Sequence, residues 1–164
     1  MLNGILDPYV GFRFMVDIEG LFVGGFQEVS GLSIELDVES VKEGGVNDYT
    51  HRLPKGVKYG DIVLKRGLGD INMLWAWYND IVSGGNPIVR RSGSIRMLNS
   101  MGIPTYSWDF LEAYPIKWEA SGISSSSNAV VTESMTLAHH GLKKFDLGVG
   151  GLLNAAANKI SGLF

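Results

Sequence analysis

"SIELDVESVKEGGVNDYTHRLPKGVKYGDIVLKR", residues 33–66, sets two kinds of pattern side by side. In its first part Ile34, Leu36 and Val38 alternate with Glu35, Asp37 and Glu39. A period of two with one polar face is the signature of a strand. From Lys42 to Lys58 neither a period of two nor one of 3.6 is sustained, and Gly44, Gly45, Pro54 and Gly56 interrupt it. Alternation resumes at "DIVLKR". A long irregular segment between strands of a compact domain is usually functional, so residues 42–58 are expected to form an arm that contacts another protein.

Strand patterns continue on both sides. "GFRFMVDIEG" (11–20) places Phe12, Phe14, Val16 and Ile18 opposite Arg13, Met15, Asp17 and Glu19, and a second strand is expected to end near Ser30-Gly31. The exception is "GDINMLWAWYNDIVSGG" (69–85), where Ile71, Leu74, Trp77 or Tyr78, and Ile81 recur at helical spacing. Asp70 suits its N-cap, and Gly84 or Gly85 its left-handed C-terminal position. After the helix come "PIVRRSGSIRML", "TYSWDFLEA", "PIKWEA" and "NAVVTESMTLAHH" (128–140), the last with Thr132, Ser134 and Thr136 on one face. The expected fold is mainly β: a small antiparallel barrel or sandwich with one flanking helix and a long protruding loop. Two units are expected, a β domain over 1–145 and a glycine hinge with a short amphipathic C-terminal helix over 146–164. In that tail Leu152, Leu153, Ala156, Ile160 and Leu163 form an apolar stripe that needs cover, expected from a groove on another subunit or partner protein; the alternative is a frayed terminus.

Composition narrows the function. A chain of 164 residues that is 45% hydrophobic has enough material for one core. Its net charge of −3 is unlike that of a dedicated nucleic-acid binder. Without cysteine there is no disulfide, thiol nucleophile or cysteine-based metal site. No signal peptide or membrane span is read from the sequence. Twenty-two glycines fit short strands joined by tight turns.

Candidate chemistry is weak. His51 with Asp48 or Asp61 is an acid–base pair only if a pocket joins them. His139 and His140 are adjacent, so on a strand they face opposite ways and do not share a metal. Glu35, Asp37 and Glu39 are spaced about 7 Å apart along a strand, too far to close on one cation. Arg90, Arg91 and Arg96 make too small a basic patch to hold a nucleic acid. The four tryptophans are expected to pack rather than bind sugars. No catalytic, cofactor-binding or metal-binding residue is assigned.

The ordered series "VSGL", "EGG", "HRLP", "LKRG" and "AYPIKW", spread over roughly residues 8–142, resembles the tail tube proteins of contractile phage tails and extracellular contractile injection systems. The resemblance implies a structural, non-enzymatic β-barrel protomer. Six would form a ring, and stacked rings a hollow conduit inside a contractile sheath. The arm would then contact neighbouring protomers through Lys42, Glu43, His51, Arg52, Lys55 and Lys58, with Tyr49, Leu53 and Val57 as buried anchors. Candidate lumen residues are Glu35, Asp37 and Glu39 with Thr132, Ser134 and Thr136. Implied partners are further copies of itself, a sheath protein, baseplate, spike or cap proteins, and cargo effector or DNA passing without specific binding. No cofactor and no membrane insertion are implied. Assembly would occur in the bacterial cytoplasm, into a virion or injection particle. The alternatives are a tube initiator or adaptor at the baseplate and, from another class, a monomeric β-rich binding or hydrolytic domain.

Overall fold

The computed structural model describes residues 13–42, 44–45, 48–67, 73–84, 87–121 and 131–147. In chain order the elements are β1 (Arg13–Ile18), β2 (Leu21–Phe26), β3 (Glu28–Ser30), β4 (Ile34–Val41), β5 (His51–Tyr59), β6 (Ile62–Gly67), α1 (Met73–Val82), β7 (Arg91–Leu98), β8 (Pro104–Ala120), β9 (Thr132–Ala138) and β10 (Gly141–Asp146). The mainly β fold with one helix agrees with the pattern in the sequence. The expected N-cap, Asp70, lies outside the described residues, whereas Gly84 does adopt a left-handed φ of 67° at the C-terminal end of α1.

Hydrogen-bonded neighbours run β2-β1-β7-β8-β9-β6-β3, all antiparallel, with β10 added alongside β8. The two ends of this path are consecutive in the chain. β2 and β3 are separated only by Gln27, whose amide donates to the Lys65 carbonyl at 3.0 Å. One run of chain therefore passes from the β1 side to the β6 side, giving a barrel-like form without a hydrogen-bonded closing pair. The second corner is β8. Its first half pairs with β7, its second half with β9, and Glu112 at the bend has a positive φ of 50°.

Alternation fills the interior. Val16, Ile18, Ile62, Leu64, Ile95, Phe110, Met135 and Leu137 are buried, each on the inward face of its strand. Gly93 is required among them, since a Cβ there would lie 2.4 Å from the Asp17 carbonyl oxygen and 2.5 Å from the Phe110 ring. α1 adds Leu74 and Trp77, and the Trp77 indole donates to the Val89 carbonyl at 3.0 Å. Beneath the helix Arg66 Nε donates to Glu133 Oε1 at 2.6 Å, and the Trp118 indole donates to Glu133 Oε2 at 3.2 Å. This buried carboxylate is paired and hydrogen-bonded, as burial of a charge demands.

One part of the sequence reading is corrected. Residues 42–58 are not an irregular loop, because β5 occupies His51–Tyr59 and pairs antiparallel with β4. Of the described residues in 42–58, only Lys42, Gly44, Gly45 and 48–50 lie outside a strand. Nor do Ile34, Leu36 and Val38 enter the core: β4 and β5 form a separate two-stranded ribbon, outside the barrel path. A bulge between Asp37 and Val38, opposite Pro54–Gly56, obscures the period of two in β5.

Candidate assembly surfaces

The ribbon leaves the barrel through a narrow neck. Gly31, between β3 and β4, has a φ of 78°, a conformation glycine adopts freely, and a Cβ there would collide with the Asp61 carbonyl. Gly60, between β5 and β6, donates its amide to the Ser33 carbonyl at 3.2 Å. Buried His139, just after β9, sits between two carbonyls, with Nε2 2.8 Å from the Gly60 oxygen and Nδ1 3.0 Å from the Gly141 oxygen. The His139 ring also packs against Tyr59, with centroids 5.5 Å apart.

Beyond the neck the ribbon has two unlike faces. Cross-strand partners share a face, so the pairs Ile34–Tyr59, Leu36–Val57 and Val38–Pro54 make one apolar side. Glu35–Lys58, Asp37–Gly56 and Glu39–Leu53 make the other, where Lys58 Nζ lies 3.1 Å from Asp37 Oδ2. The apolar side is uncovered: Ile34 is 54% exposed, Leu36 56% and Val57 50%. An isolated two-stranded ribbon is marginal in water, and an exposed apolar strand pair is a template for association.

The expected contact residues distribute unevenly over this device. Val57 lies on the apolar face, Leu53, Lys58 and His51 on the charged face, and Arg52 beside Ser40. Lys55 falls in the bulge, Tyr49 sits edge-on to His51 with centroids 5.0 Å apart, and Lys42 begins the connection. Glu43 lies outside the described residues. Ile34, Leu36, Val38 and Tyr59 were missed as contact residues because alternating apolar residues read as core. His51 begins β5 and Asp61 follows its far end, beyond Gly60, so strand β5 separates those two members of the acid–base reading.

A second surface lies on the outer face of the β8–β9–β6–β3 sheet. Thr132, Ser134 and Thr136 share it, their neighbours Glu133, Met135 and Leu137 pointing into the core. Register aligns Glu28, Lys65, Ser134 and Glu119 in one row across four strands. Ser30, Val63, Thr136 and Lys117 make the next row. Lys65 reaches Glu28 at 3.3 Å and Lys117 reaches Glu119 at 2.7 Å. Along these rows the face is polar, charge-balanced and free of side chains larger than valine and lysine. The four charged residues were not singled out from sequence, since their alignment comes from long-range register. Glu35, Asp37 and Glu39, the other lumen candidates, belong to the ribbon and are not brought onto this face.

The remaining candidates resolve into structure. His140, exposed, has Nδ1 2.9 Å from Glu112 Oε2 and stands beside Arg90. Arg91 donates to the Glu19 carbonyl at 2.8 Å, so the arginines do not form one patch. Trp77 is buried, Trp108 and Trp118 pack on the core, and Trp75 sits edge-on to Trp118 at 4.8 Å. Among the described residues no three His, Asp or Glu side chains gather as for a metal ion, and no helix is long and apolar enough to cross a membrane.

The barrel-like β domain with one flanking helix thus carries two surfaces suited to association between copies, the apolar face of the ribbon and the polar face of β9. The profile of the T4-like virus tail tube protein gp19 family matches residues 10–143, and the chain belongs to this family. No curated protein matches the sequence. Among solved structures, a chain of an extended sheath-tube complex of the PVC extracellular contractile injection system is 22% identical, with a TM-score of 0.74, covering 87% of this chain and 95% of that one. A chain of the anti-feeding prophage baseplate is 23% identical, with a TM-score of 0.72, covering 87% and 99%. A crystal structure of an Hcp protein gives 11% identity and a TM-score of 0.58, covering 85% and 94%. At these identities the likeness is one of fold.

Proposed function

We propose that this chain is a structural, non-enzymatic subunit of the inner tube of a contractile tail or injection particle. Six copies form a ring, rings stack into a conduit, and the ribbon of each copy lays its apolar face on a neighbour. The observation that carries this reading is the uncovered Ile34–Leu36–Val57–Tyr59 face on an element outside the protomer core. A closed ring with identical arms buries every such face by the same contact.

The conduit is lined by the polar outer face of β9 and its neighbours, with Thr132, Ser134 and Thr136 at its centre. Its balanced charges let cargo effector or DNA pass without specific binding. The outside of the tube meets a sheath protein, and its ends meet baseplate, spike or cap proteins. Assembly takes place in the bacterial cytoplasm, before release in a virion or injection particle. The likeness to a baseplate chain supports a second reading, a tube initiator with the same fold present in few copies.

Negative-stain imaging of the purified protein tests the proposal. Six-fold rings or stacked tubes are expected, alone or nucleated by a baseplate partner. A protein that stays monomeric at all concentrations and forms no ring beside its partners overturns it.

A further inference from the structure

A different apolar surface lies on the outer face of the β1–β7–β8–β10 sheet, at the end where the described chain stops. Register aligns Met15, Arg96, Ser107 and Phe145 across four strands. Beyond this row stand Leu98, the turn residues Met101 and Ile103, and Leu147, whose amide donates to the Thr105 carbonyl at 3.0 Å. Met101 is 77% exposed, Phe145 45% and Leu147 48%. None of these residues belongs to the ribbon or to the polar face of β9.

We propose that this surface is covered by the chain's own carboxy-terminal segment, residues 148–164, folded back in cis. Leu147 is itself part of the surface, so the segment starts in contact with what it must cover. Gly148, Gly150 and Gly151 permit the reversal. Next come Leu152, Leu153, Ala156, Ile160 and Leu163 at helical spacing. A helix over 152–164 measures about 20 Å, and four strands about 4.8 Å apart present a face about 19 Å wide. Charge does not oppose the cover: the segment has Lys159 and no acidic side chain, and the surface carries Arg96 in the row with Asp17, Asp109 and Lys143 beside it.

The amino-terminal segment enters at the same end, where Arg13 pairs with Leu98. Pro8 divides its apolar run, leaving about two helical turns against nearly four for the carboxy-terminal one. The family profile ends at residue 143, so the carboxy-terminal segment lies outside what the tail tube family shares. The cover uses neither the ribbon nor the polar face of β9 and does not rest on the tube proposal.

Methionine oxidation by dilute hydrogen peroxide, followed by peptide mass spectrometry, tests the cover. Met15 and Met101 report on the surface, and Met73, exposed on α1, is the control. In a chain ending at Leu147, Met15 and Met101 are expected to oxidise several-fold faster than in the full chain, with Met73 unchanged. The full-length L153D/I160D variant should behave like the truncated chain, and supplies the readout if truncation impairs folding. Protection should be the same at two protein concentrations. Equal rates in all three proteins overturn the proposal. Protection that rises with concentration assigns the cover to a second copy, and loss of protection only on deleting residues 2–8 assigns it to the amino terminus; either result overturns the assignment in cis.

Discussion

His139 Nε2 lies 2.8 Å from the Gly60 carbonyl oxygen, joining the turn between β9 and β10 to the neck of the ribbon. The contact spans 79 residues of sequence and is part-buried, and it ties down the point where the ribbon emerges. His139→Ala leaves that carbonyl unpaired and removes the ring that packs on Tyr59. It is expected to cost about 1–3 kcal/mol, the penalty of an unmade buried hydrogen bond. Denaturant unfolding measures the loss, and faster amide exchange in β5 than in β7 would localise it to the neck.

Trp77→Ala should cost about 3–5 kcal/mol, as for a large buried aromatic. Trp77 is 4% exposed and lies with Leu74 in the contact of α1 with the barrel. Trp75, two residues away, is more exposed and has ring contacts with Trp118 and Tyr78, with centroids 4.8 and 5.9 Å apart. Its replacement by alanine should cost about 1 kcal/mol. Equal losses in thermal or urea unfolding would mean that the helix is rotated from the position described.

Glu133→Ala removes the carboxylate that Arg66 Nε and the Trp118 indole both donate to, and should cost about 3–5 kcal/mol. Replacing both partners, R66M with E133L, should recover most of that loss, because an apolar pair of similar volume needs no desolvation. A double-mutant cycle by urea unfolding checks this. Simple additivity of the two single changes would show that the ion pair contributes no coupling.

Much of the barrel was legible in the sequence because its signals are local. Val16 and Ile18 alternate with charged residues, and Leu74, Trp77 and Ile81 recur at helical spacing. The ribbon was not legible for two physical reasons. Its apolar face has the same period as a core strand, so Ile34, Leu36 and Val38 look buried until the partner strand is known. Its second strand carries Pro54, Gly56 and a bulge, which erase the alternation that identifies a strand. The polar face around Ser134 was half visible: the hydroxyl residues share one strand, but Glu28, Lys65, Lys117 and Glu119 reach it only through long-range register.

Replacing residues 35–58 with a short Gly/Ser linker should leave a barrel that unfolds cooperatively, since the ribbon contributes no residue to the buried core and closing a shorter loop costs little. Stacking should be lost. Loss of cooperative thermal unfolding would show that the ribbon stabilises its own protomer.

The claim that the ribbon's apolar face is buried on another copy is tested most directly by sedimentation velocity of the L36D/V57D variant beside the unaltered protein. Both substitutions fall on one cross-strand pair, outside the core. The account predicts rings or tubes for the unaltered protein, and for the variant a small species that cannot stack yet melts as cooperatively as before. A variant that assembles to the same size and at the same concentration would contradict it.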